Sequence, residues 1–146
     1  MAFGVEARGQ LAPDAPAPED DDPRWSLGLA GGALMDLGCY GLHIMRQLGH
    51  PSIVRAHAEQ RSPGVDAWCD VYLAFPGGAT GLSANSMVAD DHMFTLRIIG
   101  TRGDVLVHNF IKPHDDDRLT INTATRQMSI SRITPGTIAQ LVFRIA

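Results

Sequence analysis

Between Gly31 and Leu48 apolar positions recur at helical spacing, and from Ile53 onward they recur at every second residue. At about 100° per residue, Leu34, Leu37, Gly41, Ile44, Met45 and Leu48 share one stripe, the pattern of a helix lying on a core. Gly49 follows as a C-cap and Pro51 blocks continuation. Val54, Ala56 and Ala58 then alternate with polar residues, and Ala67–Phe75 leads through Pro76-Gly77-Gly78 into residues 79–88 as a hairpin. His92–Ile99 alternates again, and Gly100-Thr101-Arg102-Gly103 turns the chain into Asp104–Phe110. Arg118–Thr123 and Gln127–Arg132 flank Ala124-Thr125 as a last hairpin. About seven short strands joined by tight turns predict an open, mainly antiparallel sheet. With the helix packed on one face, the expected class is α+β.

One helix covers only part of such a sheet. Alternation places Cys69, Val71, Leu73 and Phe75 on one face and Trp68, Asp70 and Tyr72 on the other. The second face is therefore expected to carry aromatics and little charge. Such a face meets another domain, a second copy, or the chain's own C-terminal residues.

Composition changes the picture only at the N-terminus. Residues 1–24 hold Pro13, Pro16, Pro18 and Pro23, with six acids against two bases, and so carry the whole net charge of −4. Proline removes backbone donors and like charges repel, so this stretch is expected to be an extended arm or linker, with one domain over residues 25–146. The remaining body is neutral, with eleven Arg and one Lys, Lys112, in the whole chain. Without a basic stripe, nucleic-acid binding is not expected. No apolar run reaches membrane-spanning length and no signal-peptide pattern is present, so the expected location is cytoplasmic. Cys39 and Cys69 read as free thiols.

The helix carries a second stripe. Asp36, Tyr40, His43 and Gln47 follow spacings of four, three and four, within an arc of about 60°. A polar stripe is ordinarily the wet side of a helix. This one lacks Lys, Glu or Arg at its centre and instead joins a carboxylate, a phenol and an imidazole, the groups that proton transfer uses. Gly38 and Gly41 inside the helix each disfavour it by about 1 kcal/mol relative to Ala, which points to close approach of backbone or ligand.

Gly31-Gly32-Ala33-Leu34-Met35-Asp36-Leu37-Gly38-Cys39-Tyr40-Gly41-Leu42-His43 resembles the G-G-x-L-x-D-x-G-x-[HY] motif of the glucose–fructose oxidoreductase, inositol dehydrogenase and rhizopine-catabolism (Gfo/Idh/MocA) family. Asp22-Pro23-Arg24-Trp25, Phe75-Pro76-Gly77-Gly78 and Gly100-Thr101-Arg102-Gly103 match in the same order, and Cys39-Tyr40 is most similar to the branch with dihydrodiol dehydrogenases. The resemblance implies the C-terminal substrate-binding and dimerisation domain of an NAD(P)-dependent oxidoreductase acting on sugars, polyols or dihydrodiols. It implies Tyr40 at the catalytic acid/base position, Asp36 beside the substrate hydroxyls, and His43 facing the substrate; the stripe adds Gln47 as a substrate-binding candidate.

Two family features are absent from the sequence. No G-x-G-x-x-G follows a strand, and no E-K-P motif supplies an active-site lysine; Lys112-Pro113 reads as a loop. A phenol without a cationic neighbour titrates near ~10, poorly matched to proton transfer at neutral pH. The expectation is a chain that binds no cofactor alone and is inactive alone: a truncated product, a split subunit needing a separate Rossmann-domain partner, or a degenerate relative. A homodimer through the open sheet face and a small sugar or polyol ligand are the expected partners. The competing reading is a non-enzymatic homodimeric binding module. A metal site at Asp90-Asp91-His92 or His114-Asp115-Asp116-Asp117 is the weaker third reading, because Asp is favoured in turns for local hydrogen bonding. Ser83 and Ser86 lie in a strand and Cys39 reads as a packing residue, so no nucleophile is expected.

Overall fold

The computed structural model describes residues 4–11, 22–112 and 116–131. It is an α+β fold. Strands β1 (Gly4–Gln10), β2 (Ser52–Ser62), β3 (Val65–Ala74), β4 (Thr80–Ser86), β5 (Met93–Gly100), β6 (Gly103–Val107), β7 (Leu119–Thr123) and β8 (Gln127–Ile130) form one open sheet in the order β2-β3-β4-β1-β5-β6-β7-β8. One turn of π-helix, Leu34–Gly38, runs into α1, Cys39–Leu48.

The expected strands are present, with one correction. Gly4–Gln10, assigned from composition to an arm over residues 1–24, is a strand at the heart of the sheet. It pairs parallel with β4 and antiparallel with β5, which makes the sheet mixed. The physical reason is local. Val5, Ala7 and Gly9 alternate inward, while the first proline comes only at Pro13, so every backbone donor of β1 is free to join the ladder. Residues 1–3 and 12–21 of the expected arm lie outside the described residues. Asp22 caps a short 3₁₀ turn, Pro23–Trp25, and Trp25 is buried.

A cluster including Val5, Ala7, Met45, Cys69, Val71, Leu73, Leu96, Ile98, Val105 and Leu119 forms the main core. The helix lies over β1 and β4. It sits low because its inner side carries glycines. A Cβ on Gly41 would stand 2.9 Å from the Ala7 Cβ and 3.3 Å from the Ser83 Oγ; one on Gly38 would stand 2.9 Å from the Asn85 Nδ2. The expected close approach is therefore to the sheet. Gly41→Ala should gain about 1 kcal/mol of helix propensity but lose about 1–3 kcal/mol to overpacking. Urea denaturation should show a net loss, recovered when Ala7→Gly is added.

Register also corrects the expected character of the open face. Trp68 and Tyr72 are there, half-buried, but Asp70, Glu6, Arg8, Arg97 and Asp104 share the same side. Arg97 Nε bonds Asp104 Oδ2 at 3.2 Å, and Arg8 pairs with Glu6. Alternation along β3 alone could not show what neighbouring strands bring to its flank. No described helix is long and apolar enough to cross a membrane.

Candidate functional site at the start of the helix

The helix begins where three segments converge. Gly32 has φ of 118°, a backbone state that favours glycine, and the Asp66 carboxylate occupies the space where its side chain would be. That carboxylate, from β3, accepts the Leu34 N–H at 2.8 Å and so caps the helix across the fold. Gly31 lies against the carbonyl of Arg24, and the Gly32 N–H donates to that carbonyl at 2.8 Å. The Asp36 N–H then donates to the Gly32 carbonyl at 2.9 Å. The glycine pair thus ties the Asp22–Arg24 segment to the turn that carries Asp36.

Beneath the helix, two polar side chains are buried in the sheet. Asn85 Nδ2 donates to the Cys69 carbonyl at 3.0 Å, and Ser83 Oγ donates to Asn85 Oδ1 at 3.2 Å. Their polar groups are satisfied, so they form a rigid floor.

Of the four expected site residues, Asp36 is half-buried in the π-turn, a feature often found at functional sites. Tyr40 is 48% exposed on the first turn of α1, and His43 and Gln47 are exposed further along it. All four lie on the helix side away from the inward-facing Leu37, Gly41 and Met45. Among the described residues none of their side chains bonds to another. Cys39, expected to pack, is exposed instead: at helical spacing it lies opposite Gly41, which faces the sheet. Partial desolvation of its sulfur raises the thiol above the ordinary value, which disfavours the nucleophilic thiolate.

Asp36 is the electrostatic centre. Partial burial raises its carboxyl above the usual 3.8, while the nearby Arg24 charge pulls it down and Asp22 pushes it up. Arg24 is itself held by Asp22 through two bonds, Nε–Oδ1 at 3.0 Å and Nη2–Oδ2 at 2.8 Å. That pair holds Asp22 down to about 2. Arg24 is the site residue that sequence reasoning missed. It stood inside a recognised motif, but only the fold shows that it supplies positive charge beside Asp36.

A carboxyl raised by folding is one whose ionisation the fold opposes. Its contribution to stability is full below the unfolded value of 3.8 and is lost as pH rises through the raised folded value. Asp36→Asn should therefore raise the melting temperature at neutral pH, and the gain should vanish in acid. Thermal melts across pH check this; an unchanged or lower melting temperature at neutral pH would contradict it.

Among the described residues, no group of three His, Cys, Asp or Glu is placed to hold a metal ion. Asp116 is committed to Arg118 at 2.7 Å, and His92 packs edge-on against Phe94. His114 and Asp115 lie outside the described residues.

Comparison with known proteins gives this site a context. The family model of the GFO/IDH/MocA C-terminal domain matches residues 5–106, which include β1, the glycine pair, the π-turn and α1. The chain belongs to the GFO/IDH/MocA family. This GFO/IDH/MocA domain is 30% identical over 121 residues to a dTDP-3,4-didehydro-2,6-dideoxy-alpha-D-glucose 3-reductase of Streptomyces violaceoruber, covering 80% of this chain and 35% of the relative. Its fold matches a variant of a 3-ketoreductase from Actinomadura kijaniata, solved with TDP-benzene and NADP, at a TM-score of 0.76 and 15% identity, covering 97% of this chain and 45% of that one. It also matches a levoglucosan dehydrogenase solved with NADH and levoglucosan, at a TM-score of 0.69 and 20% identity, covering 90% and 39%. The domain therefore spans less than half the length of these relatives.

Proposed function

We propose that this GFO/IDH/MocA domain is the substrate-binding and dimerisation part of an NAD(P)-dependent oxidoreductase acting on sugars, related polyols or dihydrodiols. The observation that carries the reading is Asp36. It is a half-buried carboxylate with no hydrogen-bond donor from the described residues, kept at a place where folding opposes its charge. Such a group suits a ligand hydroxyl that donates to it. Tyr40, one turn on, is placed to exchange a proton with the oxygen whose carbon is oxidised or reduced. His43 and Gln47 extend the polar edge along a sugar ring. The Arg24 charge, anchored by Asp22, keeps Asp36 available as an acceptor. The relatives' names support sugars among the candidate substrates.

The start of the helix does not fit a pyrophosphate. A pyrophosphate is held by free N–H groups at a helix N-terminus after a glycine-rich turn, and here that end is filled by the Asp66 carboxylate. The hydride must come from a cofactor held by a separate dinucleotide-binding domain, whether on the same longer chain or on a partner. Hence the domain alone should transfer no hydride. The reading includes a homodimer through the open sheet face, where Trp68 and Tyr72 lie among the ion pairs Arg8–Glu6 and Arg97–Asp104. Mixing the domain with the dinucleotide-binding domain of a relative, NAD(P)H and keto-sugars, and following nicotinamide absorbance, tests the reading. Turnover should need both parts; turnover by this domain alone, or none in any combination, would contradict it.

A further inference from the structure

β2 closes one end of the sheet, and all eleven of its residues are exposed. Proteins ordinarily blunt such an edge with proline or lysine. β2 has neither; its protection is confined to Arg55, Glu59, Arg61 and shifts of register towards both ends, and Ile53 and Val54 stand 69% and 65% exposed. The stretch Arg55–Glu59 is self-complementary about His57, while beyond it Val54 falls opposite Gln60 and Ile53 opposite Arg61. Ala56 mirrors Ala58, Arg55 mirrors Glu59, and Ser52 mirrors Ser62. A two-fold axis through His57 would set two copies antiparallel, with alanine opposite alanine and both charge pairs matched.

The matched stretch is also the regular one. Arg55–Glu59 runs unbroken against Tyr72–Trp68, and the shifts in register lie on either side of it. Both charges are already ordered. The Arg55 guanidinium lies 4.0 Å from the centre of the Tyr72 ring, and Trp68 Nε1–H donates to Glu59 at 3.1 Å. Both charges therefore lie on one side of β2, the side shared with Tyr72 and Trp68.

We propose that β2 is a self-complementary edge through which two copies of this chain join into one continuous sheet, with Arg55 of each facing Glu59 of the partner subunit. This edge contact adjoins the open face, where Arg55 and Glu59 reach Tyr72 and Trp68; an edge and a face meeting different copies would assemble four chains.

Sedimentation analysis across a concentration series tests it. Glu59→Arg opposes two pairs of like charges and should weaken the association by about tenfold or more. Arg55→Glu should do the same, and Arg55→Glu with Glu59→Arg should restore it. In a Cys39→Ser background, His57→Cys should give a copy-to-copy disulfide on oxidation, because position 57 meets itself on this axis; Ala56→Cys should not. Circular dichroism checks that each variant folds. A monomeric protein at all concentrations, single reversals without effect, a double reversal that fails to restore, or no crosslink at position 57 would overturn the proposal. The crosslink reports edge pairing whether or not open faces also meet, so its failure leaves the functional reading standing.

Discussion

Replacing Tyr40 with phenylalanine should leave the fold unchanged and lower turnover by about 10²–10⁴-fold once the domain works beside a dinucleotide-binding domain. The two halves of that result have different causes. The Tyr40 side chain is half exposed and makes no hydrogen bond among the described residues, so removing its hydroxyl takes nothing from the packing. If Tyr40 moves the proton, its hydroxyl is the one atom the reaction cannot lose. Substrate affinity should change little, because Asp36, His43 and Gln47 remain. Steady-state kinetics with paired thermal melts separates these effects. An equal loss in melting temperature and turnover would mean that Tyr40 is a structural residue, and unchanged turnover would remove it from the chemistry.

Met45→Ala should be the most damaging single truncation on the helix, with a loss of about 2–5 kcal/mol. Met45 has no exposed surface and joins α1 to the core beside Val5, Ala7 and Val71. The size of the loss depends on whether the helix can settle into the space left behind. Gly41 already brings the helix to the limit of its approach at Ala7, so settling is blocked and the cavity stays open. The result should lie in the upper half of the range, a large share of the ~5–15 kcal/mol that holds such a domain together. Urea denaturation measures it. A loss below about 1 kcal/mol would show that the helix shifts inward, against the stop that Gly41 provides.

The parts of the fold legible in the sequence were those whose pattern is local. The strands from β2 to β8 alternate in short runs between turns, and the stripe of α1 repeats at helical spacing, so each could be read from its own residues. β1 was hidden because its alternating Val5, Ala7 and Gly9 were averaged with prolines that begin only at Pro13. Its parallel pairing with β4 joins residues about half the chain apart, and no local pattern encodes that choice. The site divides in the same way. Asp36, Tyr40, His43 and Gln47 share one helix, so spacing grouped them. The π-turn beneath Asp36 and the Asp66 cap from β3 depend on contacts between distant segments. Arg24 reaches the site only through the glycine pair, a tertiary contact that motif order alone does not assign a role.

The central claim is that the outer edge of the helix is a ligand surface. Amide NMR of the ¹⁵N-labelled domain, titrated with myo-inositol, levoglucosan and a dTDP-hexose in turn, tests it most directly. The account predicts saturable shifts at Asp36, Tyr40 and His43, extending to Arg24 and reduced by Asp36→Asn. Shifts confined to the open sheet face, or shifts that Asp36→Asn leaves unchanged, would contradict it.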